Sequence, residues 1–124
     1  MSPSSPAGAE RRRFPRVQIF GELSGELVAP FQLTLNVIDI SRGGFAVESP
    51  VPFTRDAEYA FQFVSQGRRQ RTLTATNVHS VPAAGRAGNA AYIAGFSFAP
   101  RDERDVQLID EINLEIAQER DRAR

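Results

Sequence analysis

Phe31, Leu33, Leu35 and Val37 alternate with Gln32, Thr34 and Asn36, the period of a strand with one face in a core. The apolar run stops at Asp39-Ile40-Ser41-Arg42-Gly43-Gly44 and resumes as Phe45-Ala46-Val47, so the polar stretch reads as a corner between two strands. Asp39 continues the alternation and would fall on the core side unless a bulge intervenes. Before this pair, Val17 to Leu27 is interrupted by Gly21 and Gly25, which predicts a bent or bulged strand, or a hairpin, at a sheet edge. After it, Pro50 and Pro52 end the short strand and Tyr59, Phe61 and Phe63 alternate. Ser65-Gln66-Gly67-Arg68 reads as a turn. The threonine-rich run Arg71 to Val81 follows, then a loop from Pro82 to Gly88, then Tyr92, Phe96 and Phe98 facing one way. Six strand-like segments with no helix between them predict a mainly β protein built as an antiparallel barrel.

Beyond Pro100 the period changes. Val106, Ile109, Ile112 and Ile116 recur at helical spacing, Leu108 widens the stripe and Asp102 is placed to cap the N-terminus. A helix over 102–119 with one apolar face is expected to cover the open end of the barrel, although a partner or a second copy of the chain is the competing use of that face. The domain is expected over 10–119, with an arginine arm at 10–16, the barrel at 17–99, a disordered tail at 1–9 and a charged, solvated tail at 120–124.

With 124 residues the chain has room for one core. Acidic and basic residues balance at 15 each, so no bulk field draws in nucleic acid or an anionic membrane, and any anion site must be local. All 15 basic side chains are arginine, each a planar fork suited to phosphate oxygens or a guanine edge. The absence of cysteine excludes disulfides and thiolate chemistry and fits a reducing compartment. No apolar run reaches the length of a membrane span or a signal-peptide core, so a soluble cytoplasmic protein is expected.

Catalysis is not expected. His79, the sole histidine, has no spacing to a nucleophile or a carboxylate cluster and reads as a structural or surface residue. No metal or cofactor site is legible. Binding residues are: Arg12 and Arg16 stand four apart in a segment that Pro15 keeps out of a helix, and a guanidinium pairs with phosphate or with the O6 and N7 of guanine. Asp39 can accept from the N1–H and 2-amino group on the other edge of that base. Ser41 offers a hydroxyl, and Gly44 leaves the turn open to a close-fitting ligand. GMP, GTP, a cyclic dinucleotide and an exposed guanine in RNA all satisfy these groups.

The spacing R-x-x-x-R at Arg12 and Arg16, preceded by Arg11, followed by D-x-S-x-x-G at Asp39, Ser41 and Gly44, resembles the PilZ domain family. Ala94-Gly95-Phe96-Ser97-Phe98 and the helix after it are similar to the closing strand and C-terminal helix of such domains, so the resemblance spans roughly Glu10 to Ile116. It implies a six-stranded split barrel with a C-terminal helix and a non-catalytic receptor for cyclic di-GMP, with Arg11, Arg12, Arg16, Asp39, Ser41 and Gly44 at the ligand. The arm would order against the barrel and signal to a protein effector in motility, adhesion or exopolysaccharide control. Some family members bind an intercalated ligand dimer, and residues before the first motif arginine influence this, so stoichiometry stays open, as does the choice between monomer and homodimer. Two readings compete: a small barrel binding RNA or single-stranded DNA, disfavoured by the neutral charge and by aromatics on the core side, and a ligand-free adaptor using the helix.

Overall fold

The computed structural model describes residues 16–65, 70–84 and 90–122. Seven strands precede one helix: β1 Val17–Gln18, β2 Leu23–Ala29, β3 Leu33–Ile40, β4 Gly44–Ser49, β5 Glu58–Ser65, β6 Gln70–Ala84, β7 Ala90–Phe98 and α1 Glu103–Arg122. Every pairing is antiparallel. β2, β5, β6, β7, β4 and β3 follow one another around the sheet, and the β3–β4 pairing closes them into a six-stranded barrel.

The first predicted segment is two strands. Gly21, at φ +99°, turns the chain between β1 and β2, and Phe20 beside it is exposed. Both strands pair with the same edge of β3, β2 along Leu33 to Leu35 and β1 at Asp39 and Ile40. β1 thus extends the barrel wall where β2 leaves it. Phe31, expected in the alternation, lies before β3 and is exposed. β6 runs through Pro82 to Ala84, so the strand continues into what the sequence predicts as loop; Pro82 is opposite Tyr92. The predicted turn at 66–68 and the tail at 1–9 lie outside the described residues.

Phe45 centres the core. Its ring lies 4.9 to 5.3 Å from those of Phe61, Phe63, Phe96 and Phe98, in edge-on, stacked and tilted arrangements. Leu27, Leu35, Val37, Ile40, Val47 and Leu73 surround this cluster. The phenylalanines of β4, β5 and β7 therefore face inward.

The helix starts where the sequence predicts: the Asp105 N–H donates to Asp102 Oδ1 at 3.0 Å. Ile109, Ile112 and Ile116 join the barrel core, with Leu108 packed at its margin. The helix closes its own barrel. Val106 departs from the expected stripe and is 45% exposed, because the helix has not yet come over the barrel in its first turn. A polar clamp accompanies the apolar contact. Arg71, with its side chain 1% exposed, reaches from β6 to Glu111 at 3.3 Å and to Glu115, with two hydrogen bonds to the latter. Burial alone would lower the guanidinium pKa, but the bonds and charges of Glu115 and Glu111 outweigh it and hold it above its usual value.

The helix also runs past residue 119. Arg120, expected in a solvated tail, donates to Glu22 Oε2 at 3.1 Å and sits 5.6 Å from the Phe20 ring centroid. Burial pushes the Glu22 carboxyl up, but hydrogen bonds from the Phe20 and Glu22 backbone and the bond and charge of Arg120 outweigh it, leaving a lowered pKa. A carboxylate with a lowered folded pKa adds stability above its unfolded value near 4.5, and that stability is lost as pH falls through the folded value. Urea midpoints between pH 7 and pH 3 are expected to fall less for Glu22→Gln than for the parent; equal slopes would remove Glu22 from the acid response. Ile112→Ala is expected to cost about 2–5 kcal/mol in urea unfolding, as for a fully buried isoleucine in a core.

Candidate functional site

A bulge in β3 positions the aspartate. Val37 pairs with Val47 and Asp39 with Ala46, so Ile38 is the extra residue. The extra residue reverses the alternation: Val37 and Ile40 both face the core, and Asp39 turns to the outer wall. The bulge also holds the arm-bearing strand, since the Ile19 N–H donates to the Ile38 carbonyl at 2.8 Å.

The β1–β3 register then brings the two motifs together. Gln18 lies opposite Asp39 and Val17 opposite Ile40, which leaves Arg16 at the mouth of the corner. Arg16 Nη1 is 3.3 Å from Asp39 Oδ1, with the arginine side chain 56% exposed and the carboxylate 19%. Such an exposed pair is worth at most about 1 kcal/mol. It keeps the two side chains together at the mouth of the corner. Arg11 and Arg12 lie outside the described residues.

Ser41 and Gly44, expected at the ligand, also have roles within the protein. The Ser41 hydroxyl accepts from the N–H groups of Gly43 and Gly44 at 3.1 and 3.3 Å and is buried in the corner. The backbone closes the same turn, Ser41 N–H donating to the Gly44 carbonyl at 2.8 Å. Ser41 therefore shapes the corner that carries Asp39. Gly44 is needed for packing, because a Cβ there would collide with the Phe96 carbonyl of β7.

Sequence reasoning missed the helix residues that fix this corner from behind. Asn113 Nδ2 donates to the Ser41 carbonyl at 3.3 Å and to the Ile109 carbonyl at 2.9 Å. Asp110 lies 3.4 Å from Arg42 Nε. A polar asparagine one position from Ile112 in an otherwise apolar strip was the available signal. Among the described residues no three side chains of metal-binding type cluster, and no helix is long and apolar enough to cross a membrane.

A closed antiparallel barrel, an arginine just before the first strand and an Asp-x-Ser-x-x-Gly corner define a class of small β domains. The sequence matches the PilZ domain over residues 10–115, and the chain belongs to that family. Similar solved structures include MrkH from K. pneumonia in complex with c-di-GMP, 20% identical with a TM-score of 0.75, covering 92% of this chain and 56% of that one. The PilZ domain of YcgR from Escherichia coli with c-di-GMP is 15% identical, with a TM-score of 0.69 and coverage of 91% and 97%. The Bacillus subtilis inhibitor of motility, MotI/DgrA, is 14% identical, with a TM-score of 0.64 and coverage of 88% and 52%. The chain thus spans about half the length of MrkH and MotI/DgrA and nearly all of the isolated YcgR domain. A search of curated protein sequences gave no match.

Gly44→Ala is expected to cost about 1–3 kcal/mol in urea unfolding, since the added methyl meets backbone that cannot swing aside. A midpoint equal to the parent's would return Gly44 to a role in ligand access alone.

Proposed function

We propose that this protein is a non-catalytic receptor for cyclic di-GMP. The observation that carries the reading is the meeting of Arg16 with Asp39 on the outer wall, 3.3 Å apart across strands that the sequence separates by more than twenty residues. Membership of the PilZ family and the likeness to domains solved with c-di-GMP support it.

In this reading the ligand exchanges the Arg16–Asp39 pair for bonds of its own. Asp39, released from Arg16, accepts from N1–H and the 2-amino group of a guanine. Arg16, with Arg11 and Arg12 from the arm, turns its fork to phosphate oxygens and to the O6 and N7 edge. Charge-assisted bonds offset the entropy lost when the arm is ordered. Ser41 and Gly44 act at one remove, by holding the corner that presents Asp39. The closed arm then forms a new surface for a protein effector.

Calorimetric titration with cyclic di-GMP is expected to show saturable binding. Arg16→Ala and Asp39→Ala are each expected to weaken it by about 1.5–3 kcal/mol, the loss of a hydrogen bond to a charged group. Absence of saturable heat for the parent would refute the receptor reading. Parent-like affinity in both variants would move the site elsewhere on the barrel.

A further inference from the structure

The helix runs beside the first strand and in the same direction. Asn113, in its middle, donates to the carbonyl of Ser41, the residue after the Ile40 that pairs with Val17. Arg120, near its end, meets Glu22 just past β1 and the Gly21 turn. As the chain advances from Val17 to Glu22, the helix beside it advances from Asn113 to Arg120. The chain that leads into Arg16 therefore arrives beside the part of α1 that precedes Asn113.

That part of the helix has an exposed flank. Glu103, Val106, Asp110 and Leu114 follow one another at spacings of three and four, so they share one face. All four are exposed, Val106 by 45% and Leu114 by 58%. Asp110 lies 3.4 Å from Arg42, which sets this face against the tip of the corner. Two aliphatic side chains thus alternate with two carboxylates at the place where the arm enters.

The arm has the complementary composition. Arg11, Arg12 and Arg13 precede Phe14 and Pro15. Five extended residues cover roughly 17 Å at about 3.3 Å each. That equals about eleven residues of helix at a rise of 1.5 Å, enough to run from Asn113 back to Glu103. A second copy of the chain fits less well, because a twofold pairing of this flank would set carboxylates against carboxylates. A free basic partner has no such handicap, but the tethered arm has an effective concentration of about millimolar.

We propose that in the ligand-free protein the segment 10–15 docks along the Glu103–Leu114 flank of α1 and opposes ligand binding. Phe14 covers Val106, and the arginines meet Asp110 and Glu103. The same side chains cannot hold the helix and the ligand at once. The opposition rests on the cyclic di-GMP reading; the docking does not. A ligand that draws the arm onto the outer wall uncovers the flank, which gives an effector an acidic and aliphatic helix face to recognise.

A nitroxide on Ala9→Cys, the sole cysteine of that full-length variant, reads the docking directly. In the ligand-free protein the amides of 103–110 are expected to be broadened. The broadening is expected to vanish with saturating cyclic di-GMP, in high salt, and in the double variant Glu103→Arg, Val106→Arg. By calorimetry the same double variant is expected to bind cyclic di-GMP about 3- to 30-fold more tightly, the gain from freeing an arm docked roughly 70–97% of the time. No broadening in the ligand-free parent, or undiminished broadening in the double variant, would overturn the docking and leave the receptor reading intact. Broadening of an unlabelled chain by a labelled one would give the flank to a second copy and equally overturn it. Broadening that persists at saturation, or parent-like affinity in the double variant, would overturn the opposition. A parent that binds no cyclic di-GMP would refute the receptor reading alone, with the broadening still deciding the docking.

Discussion

The extra residue at Ile38 decides which side of the barrel wall the corner addresses. With unbroken alternation Asp39 would enter a core filled by Phe45 and its four neighbouring phenylalanines, where an ionised carboxylate has no partner and a large desolvation cost. With the bulge, Ile40 takes the core position and Asp39 meets Arg16 outside. The same bulge supplies the carbonyl that anchors Ile19, so the strand leading in from the arginine arm is attached at the point where the aspartate is turned out. One local irregularity thus serves the core, the first strand and the site together.

The helix gives the corner a fixed back wall. Ile109, Ile112 and Ile116 close the barrel, and between them Asn113 and Asp110 hold Ser41 and Arg42. Arg71 ties the same helix to β6 through a buried guanidinium. A buried charge is tolerable only with its partners in place, so this clamp favours one seating of the helix over alternatives that apolar contact alone would permit. The corner is thus bonded to the helix on one side, while Arg16 on the other side is half exposed.

Much of this was legible in the residues. Alternation at Leu33 to Val37 and at Tyr59 to Phe63, the helical spacing of Ile109, Ile112 and Ile116, and the cap at Asp102 predicted the elements that appear, and the motif spacings pointed to the family. What was not legible depends on neighbours distant in sequence. A bulge has no residue signature of its own; Asp39 showed only as a polar residue at a core-parity position. The hydroxyl of Ser41 looked available because its acceptor role in the turn is a matter of geometry. Gly44 looked like a flexible turn residue because nothing local reveals that the Phe96 carbonyl lies against it. Val106 and Arg120 changed roles for a similar reason, since the reach of the helix over the barrel fixes which turns are covered and whether its last turn meets Glu22.

The central claim of the proposed function concerns a place: a ligand seated on the outer wall at the corner where Arg16 meets Asp39. Amide chemical-shift mapping during titration with cyclic di-GMP reports that place directly. The largest changes are expected at Arg16 to Gln18 and at Asp39 to Ala46, with little change along the outer faces of β2 and β5. Shifts confined to Ser24, Glu26, Thr34 and Gln62, which line a shallow groove on another part of the wall, would contradict the account.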